Sequence, residues 1–202
     1  NITAKLNNEE YLKALTGKFE PLTLLGVKEV LIDGTITGRS VKDIKADLIK
    51  RFEIVPQRAE TIARTEVISA YREGNLERYK LSSTVKAWQW SATLDDRTCP
   101  VCIALDGQEF SLDTPFATHP NCRCSPIPVT YTFEELGMGY LNLEEPKPPY
   151  MGKRGEDWFK SQSEAKKEKI LGKTKYALYR QGKFKLGDLV QDFVHPVYGP
   201  SR

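Results

Sequence analysis

The sequence predicts an α+β fold: a helical N-terminal part, a small zinc-pinned β-hairpin module and a short basic helical C-terminal tail. Three observations predict it. Apolar residues recur three and four positions apart from the start of the chain to Tyr71, the period of helices buried on one side. From Val85 the period shortens to two, in residues that favour strands. All four cysteines and one of the two histidines then fall between Cys99 and Cys124, ahead of a lysine-rich stretch.

The 202 residues carry 30 Lys and Arg against 27 Asp and Glu, a net charge of +3. That is too little for whole-chain affinity to a polyanion, so any nucleic-acid role depends on local clustering. Residues 147 to 185 supply such a cluster, with twelve basic and four acidic side chains, a net +8. With 40% hydrophobic and 28% charged residues, two small bodies are expected rather than one large core. No run approaches the roughly 18 apolar residues of a membrane span. The opening Asn1-Ile2-Thr3-Ala4-Lys5 lacks the apolar core of a signal peptide. A soluble chain, not exported and with no membrane partner, is expected.

In chain order, Leu12, Leu15 and Phe19, then Leu22, Leu25 and Val30 beyond Pro21, read as two helical pieces ending near Asp33-Gly34. Ser40 opens the next helix as a cap for the third backbone N–H, with Asp43 in the positive first turn. Val41, Ile44, Leu48 and Phe52 line one face of it. Pro56 suits a first helical position, and Ala59, Ile62, Ala63, Glu66, Ala70 and Tyr71 carry the longest helix to about residue 80, across Gly74. Val85 to Thr93 form a strand in which Trp88 and Trp90 share a side, as core packing rather than a base-stacking platform. Asp106-Gly107, between Ile103-Ala104-Leu105 and Glu109-Phe110, predicts a two-residue hairpin turn. Ile127 to Tyr131 form an exit strand. Pro126, Pro128, Pro146, Pro148 and Pro149 bracket a segment poorly suited to regular structure. Trp158-Phe159, Ile170-Leu171, Tyr176, Leu178-Tyr179, Phe184, Leu186 and Leu189-Val190 supply two or three short helices interrupted by Gly172 and Gly182. The chain thus divides into an N-terminal helical segment (1–36), a core (37–131) holding a Cys/His module (95–125), a proline-rich linker (132–153) and a basic helical tail (154–202).

Five candidate metal ligands, Cys99, Cys102, His119, Cys122 and Cys124, compete for about four positions. A Cys-x2-Cys pair followed by a second short Cys/His cluster is how a chain converges thiolates and imidazole on tetrahedral zinc. Cys122 and Cys124 face the same way if extended, and His119 and Cys122 form a knuckle-like pair. The competing readings are two disulfides, which need an oxidising compartment, and a group of reduced thiols. A structural zinc is favoured over a catalytic one, which would keep an open position and a general base nearby. Asp95 and Asp96 read as caps or ion-pair partners rather than that base. In Arg64-Thr65-Glu66, positions two apart do not share a helix face, so Arg64 and Glu66 are not a local pair. Glu66 falls on the apolar face and needs a partner, with Arg97 or Arg123 as candidates. Arg64, Glu66, Asp96 and Arg97 are therefore candidate structural polar partners. Lys166, Lys167, Lys169, Lys173 and Lys175 are the candidate contacts for DNA or another large partner.

Taken together, Ile62-Ala63-Arg64-Thr65-Glu66-Val67, the tryptophan-bearing strand, Asp96-Arg97-Thr98-Cys99-Pro100-Val101-Cys102, Leu105-Asp106-Gly107 and His119-Pro120-Asn121-Cys122-Arg123-Cys124 resemble the phage Mu F-like minor head proteins, or phage head morphogenesis proteins. The resemblance covers residues 40 to 130 most strongly, and the tail from Ile170 to Val190 looks like the family's C-terminal extension. It implies a non-enzymatic minor capsid component of a tailed-phage virion, in the capsid interior near the portal and in the host cytoplasm during assembly. It implies portal, scaffold and major capsid proteins as partners, non-specific contact with phage DNA, and a role in head assembly and DNA packaging or delivery. One departure is the short stretch ahead of the helix at Ser40, where the family often continues or is fused to portal sequence. The alternatives are a nucleic-acid-binding zinc module and a metal-dependent nuclease. The second needs a histidine base, and His195 is the only histidine besides His119.

Overall fold

Helix α1 (Pro21–Ile36) packs against α2 (Val41–Phe52), and two glycines set how closely. A Cβ on Gly26 would stand 2.6 Å from the Phe52 ring, and one on Gly34 2.6 Å from Ile44 Cδ1. Leu24, Val27, Val30 and Leu31 of α1 meet Ile44 and Leu48 of α2, Ile54, and Ala59, Ile62 and Ala63 of α3 (Pro56–Lys80) in one buried cluster. Fully burying a side chain such as Leu48 contributes about 1.5–3 kcal/mol, so this cluster is the main store of stability in its unit. Ser40 caps α2 as expected, its Oγ accepting from Asp43 N at 3.2 Å. Two expected faces are corrected. Leu22 and Leu25 of α1 are exposed, as is Tyr71 of α3. Tyr71 lies nine residues beyond Ile62, half a turn from the buried stripe at about 100° per residue.

The computed structural model describes residues 21–116, 119–141, 143–144, 154–190, 193–195 and 199–201. The helical piece expected at Leu12, Leu15 and Phe19 and the prolines Pro146, Pro148 and Pro149 lie outside them. The chain forms two compact units: the described residues through Asn75 with 119–122 and 194–201, and residues 76–116 with 123–193 as far as described. Among the described residues, no helix is long and apolar enough to cross a membrane.

The second unit is built on a three-stranded antiparallel sheet with β1 (Val85–Ser91) between β2 (Glu109–Phe110) and β3 (Ser125–Thr130). Trp88 stands opposite Phe110 on one side and Pro128 on the other, and Trp90 opposite Pro126. Proline cannot donate to a ladder, which suits β3 to the sheet edge. Both tryptophans are buried, Trp88 stacked on Phe110 at 4.4 Å and Trp90 on Phe116 at 4.2 Å. They are core residues, not an open stacking platform.

The expected hairpin at Asp106-Gly107 is corrected. Residues before it form a helix, α4 (Pro100–Leu105), with Cys99 as its cap and proline in its first turn. Six apolar residues in a row have no period to distinguish strand from helix; the proline and the cap decide it. Asp106 is fully buried. Its Oδ1 accepts from Ala92 N at 2.6 Å, and its Oδ2 from Arg154 Nε at 3.1 Å.

Three short helices follow, α5 (Arg154–Ser161), α6 (Glu164–Leu171) and α7 (Lys173–Arg180), with Gly172 at φ +76° separating the last two. Phe159, Leu171, Tyr176 and Leu186 share a core with Ile103 and Ala104 of α4. The contact is tightest at Gly155, where a Cβ would stand 2.1 Å from the Ile103 carbonyl oxygen. Backbone cannot yield as a side chain can. Gly155→Ala is expected to destabilise the protein by about 1–3 kcal/mol or more through overpacking. Gly74→Ala, with nothing within 4 Å of the added carbon, is expected to stabilise it by about 0.5–1 kcal/mol. Denaturant melts of the two variants check both signs.

Candidate metal centre

Two sequence segments carry the site. The first is the turn 95–99 leading into α4. Asp95 Oδ1 accepts from Arg97 N at 2.9 Å, and Asp95 N donates to Thr98 Oγ1 at 3.0 Å, which folds the turn on itself. Cys99 Sγ then accepts from Cys102 N at 3.3 Å, the knuckle hydrogen bond that a Cys-x2-Cys pair makes at a helix start. The second segment is the turn 119–124. Cys122 N donates to His119 O at 3.1 Å, and Asn121 takes a left-handed conformation with φ 60°. Asparagine tolerates that region better than most residues.

Helix α3 holds the second segment in place within the first unit. Asn121 N donates to Thr65 Oγ1 at 3.1 Å, Asn121 Nδ2 to Thr61 Oγ1 at 3.3 Å, and the buried Arg72 Nη2 to Cys122 O at 2.7 Å. Sequence reasoning missed these three. Thr61, Thr65 and Arg72 are four and eleven residues apart, which places them on one face of a helix; that spacing was the available signal. In Arg64-Thr65-Glu66 the middle residue thus bonds this turn. Arg64 pairs along its own helix with Glu60 at 2.9 Å, and Glu66 is fully buried.

The ligand atoms of Cys99, Cys102 and His119 lie within 4.8 Å of one another, as do those of Cys102, Cys122 and Cys124. All five sequence-derived ligands are therefore gathered, and Cys102 belongs to both groups. Cys102, Cys122 and Cys124 are buried, Cys99 is half-buried and His119 exposed. His119 Nδ1 is 2.9 Å from Pro120 O. As the donor it fixes the tautomer that leaves Nε2 as the ligating atom. Such a set of thiols and imidazole can hold a metal ion.

The charged residues around the cysteines are tied to one another. Arg123, between Cys122 and Cys124, grips Asp95 with both guanidinium nitrogens, Nη1 standing 2.6 Å from Oδ2. That grip, with the Arg97 N–H, holds the Asp95 carboxyl well below the usual range. Asp96 is also lowered, by Lys166 Nζ at 2.6 Å. Of the five candidate DNA-contacting lysines, Lys166 and Lys167 are committed within the fold, to Asp96 and Glu164; Lys169, Lys173 and Lys175 are exposed. A carboxyl depressed in the folded state contributes stability that is present above its ordinary pKa of about 3.9 and lost as pH falls toward the folded value. Asp95→Asn should therefore melt below the parent at about pH 7, with a gap that begins to narrow as pH falls below about 3.9 and closes only toward the depressed value of the folded state. Paired thermal melts measure this, and a pH-independent gap would exclude the ion pair as its source.

A family model described as Phage Mu protein F like protein matches residues 26–127, which includes α2, α3, β1, β2, the start of β3 and both cysteine segments. A Haemophilus influenzae protein, described as an uncharacterized protein, is 29% identical over 147 residues, covering 67% of this chain and 32% of its own length. The chain thus spans about a third of that curated relative. No solved structure matches. With half of its length matched and both cysteine segments inside the match, the chain belongs to the Phage Mu protein F like family, a family of phage head morphogenesis proteins.

Proposed function

We propose that the chain is a minor structural protein of a tailed-phage head, and that its cysteine cluster holds a structural zinc ion. The observation that carries the zinc reading is the gathering of four thiols and an imidazole with ligand atoms within 4.8 Å in each group. Sulfurs around a tetrahedral zinc lie about 3.8 Å apart at Zn–S distances of about 2.3 Å, so small rotamer changes suffice to close the site. Three of the cysteines are buried, with Cys122 4% exposed, which suits a closed structural site better than an open catalytic one. The ion would supply folding free energy to turns that bury little apolar surface of their own.

In this reading the zinc keeps the 95–99 and 119–124 turns in shape while other surfaces meet capsid-related partners. The portal, the scaffold and the major capsid protein are the proposed partners, and the procapsid interior near the portal is the proposed location. Assembly, packaging or delivery of DNA is the proposed task, without catalysis. The family supports the head assignment; the exposed lysines of the basic stretch support contact with DNA.

Elemental analysis of the purified chain should find about one zinc per chain, with thiols becoming reactive after chelation. No metal and unreactive thiols would point to disulfides and sink the zinc reading. Cys99→Ser with Cys102→Ser should lower the melting temperature and exclude the chain from heads assembled with portal, scaffold and capsid proteins. Normal incorporation of that variant would overturn the structural role of the cluster.

A further inference from the structure

A cavity of about 500 Å³ opens in the second unit beside the first cysteine segment. Its walls are the 96–100 turn and one side of α6 from its Ser163 cap to Ile170. Arg97, Lys166 and Lys169 line it with a single acid, Asp96. The hydroxyl-bearing Thr98 and Ser163 line it too. Lys166 is neutralised by Asp96 and lies 5.2 Å over the Trp158 ring, so it is held in place. Arg97 and Lys169 are exposed, and neither makes an ion pair among the described residues. The cavity therefore carries a surplus of two positive charges. Ser163 caps α6 by accepting from Lys166 N, and the first N–H groups of a helix have no acceptor within it. Pro100, Ala165 and Ile170 give the remaining wall an apolar surface.

We propose that this cavity binds a phosphate oxyanion, and that in the virion it takes the phosphodiester backbone of nucleic acid. The identity of that ligand rests on the head-protein reading; the chemistry of the cavity does not. An arginine fork and a helix N-terminus are matched to phosphate oxygens. The apolar wall suits the face of a sugar or base. A volume of this order is that of a small-ligand cleft. The described residues 154 to 185, with ten basic and four acidic side chains, a net +6, extend the positive field as a polymeric anion requires. A free phosphate needs no such extension.

The test compares two double variants of the full chain with equal charge loss. Arg97→Gln with Lys169→Gln empties the cavity of its unpaired cations; Lys173→Gln with Lys175→Gln removes two exposed lysines of α7 that do not line it. Both should melt like the parent. Binding of a fluorescent single-stranded oligonucleotide across a salt series should weaken about tenfold in the cavity variant, with the salt slope reduced by about one to two, and by much less in the α7 variant. Inorganic phosphate at constant ionic strength should compete with the oligonucleotide in the parent and not in the cavity variant. Equal losses in the two variants would overturn the cavity as a site and leave only a diffuse field. A parent chain that binds inorganic phosphate but fails to bind the oligonucleotide would overturn the nucleic-acid ligand. Displacement by an acidic peptide as effective as by phosphate would overturn the phosphate chemistry. Incorporation of the cavity variant into heads is scored separately, so a failed cavity and a failed head assignment give different results.

Discussion

The buried carboxylate of Asp106 is the constraint on which the second unit depends. It closes α4, takes the backbone N–H of Ala92 just past β1, and holds Arg154 at the start of α5. A fully buried acid is tolerated only where its oxygens are satisfied and its charge is met, and here both partners come from separate elements. Arg154 Nη2 also donates to Ala92 O at 3.1 Å, so the same guanidinium joins carboxylate and strand end. The orientation of α4 follows, and with it the placement of Cys102. The core of Ile103, Phe159, Leu171 and Tyr176 is then packed on a helix already anchored by polar bonds.

A second, independent anchor is built into the first unit. The turn around Asn121 has little apolar surface, and hydrogen bonds from Asn121 to Thr61 and Thr65, and from Arg72 to the Cys122 carbonyl, do the positioning instead. A charge-assisted bond to a buried carbonyl contributes about 1.5–3 kcal/mol, roughly twice a neutral one, so Arg72 is the stronger hold of the three. Two turns, each organised by its own helix, carry the five candidate ligands.

Charge is distributed to the same end. Arg123 is spent on Asp95 and Lys166 on Asp96, so the residues flanking the thiols are neutral as pairs while Arg97 and Lys169 remain outward. The basic stretch is accordingly two populations: lysines that brace the fold and lysines that face solvent. Composition alone could not separate them, because the separating feature is the acid that each one reaches.

Much of the fold was legible in the chain because it rests on local rules. Helix α2 is readable from Ser40 and Asp43, α3 from Pro56 and its three-and-four spacing, β1 from alternation, and α6 and α7 from the glycine between them. The five candidate ligands were legible from residue type and spacing alone, and their ligand atoms fall into two groups that share Cys102. What the sequence left open was decided by tertiary structure. Asp106, which reads as a turn residue, is a buried anchor because Ala92 and Arg154 reach it from 14 and 48 residues away. Thr65 and Arg72 look like ordinary helix-surface residues until the 119–122 turn lies against them. Spacing determines which side chains share a face; what that face meets is set by bonds between residues distant in the chain, and no local pattern encodes those.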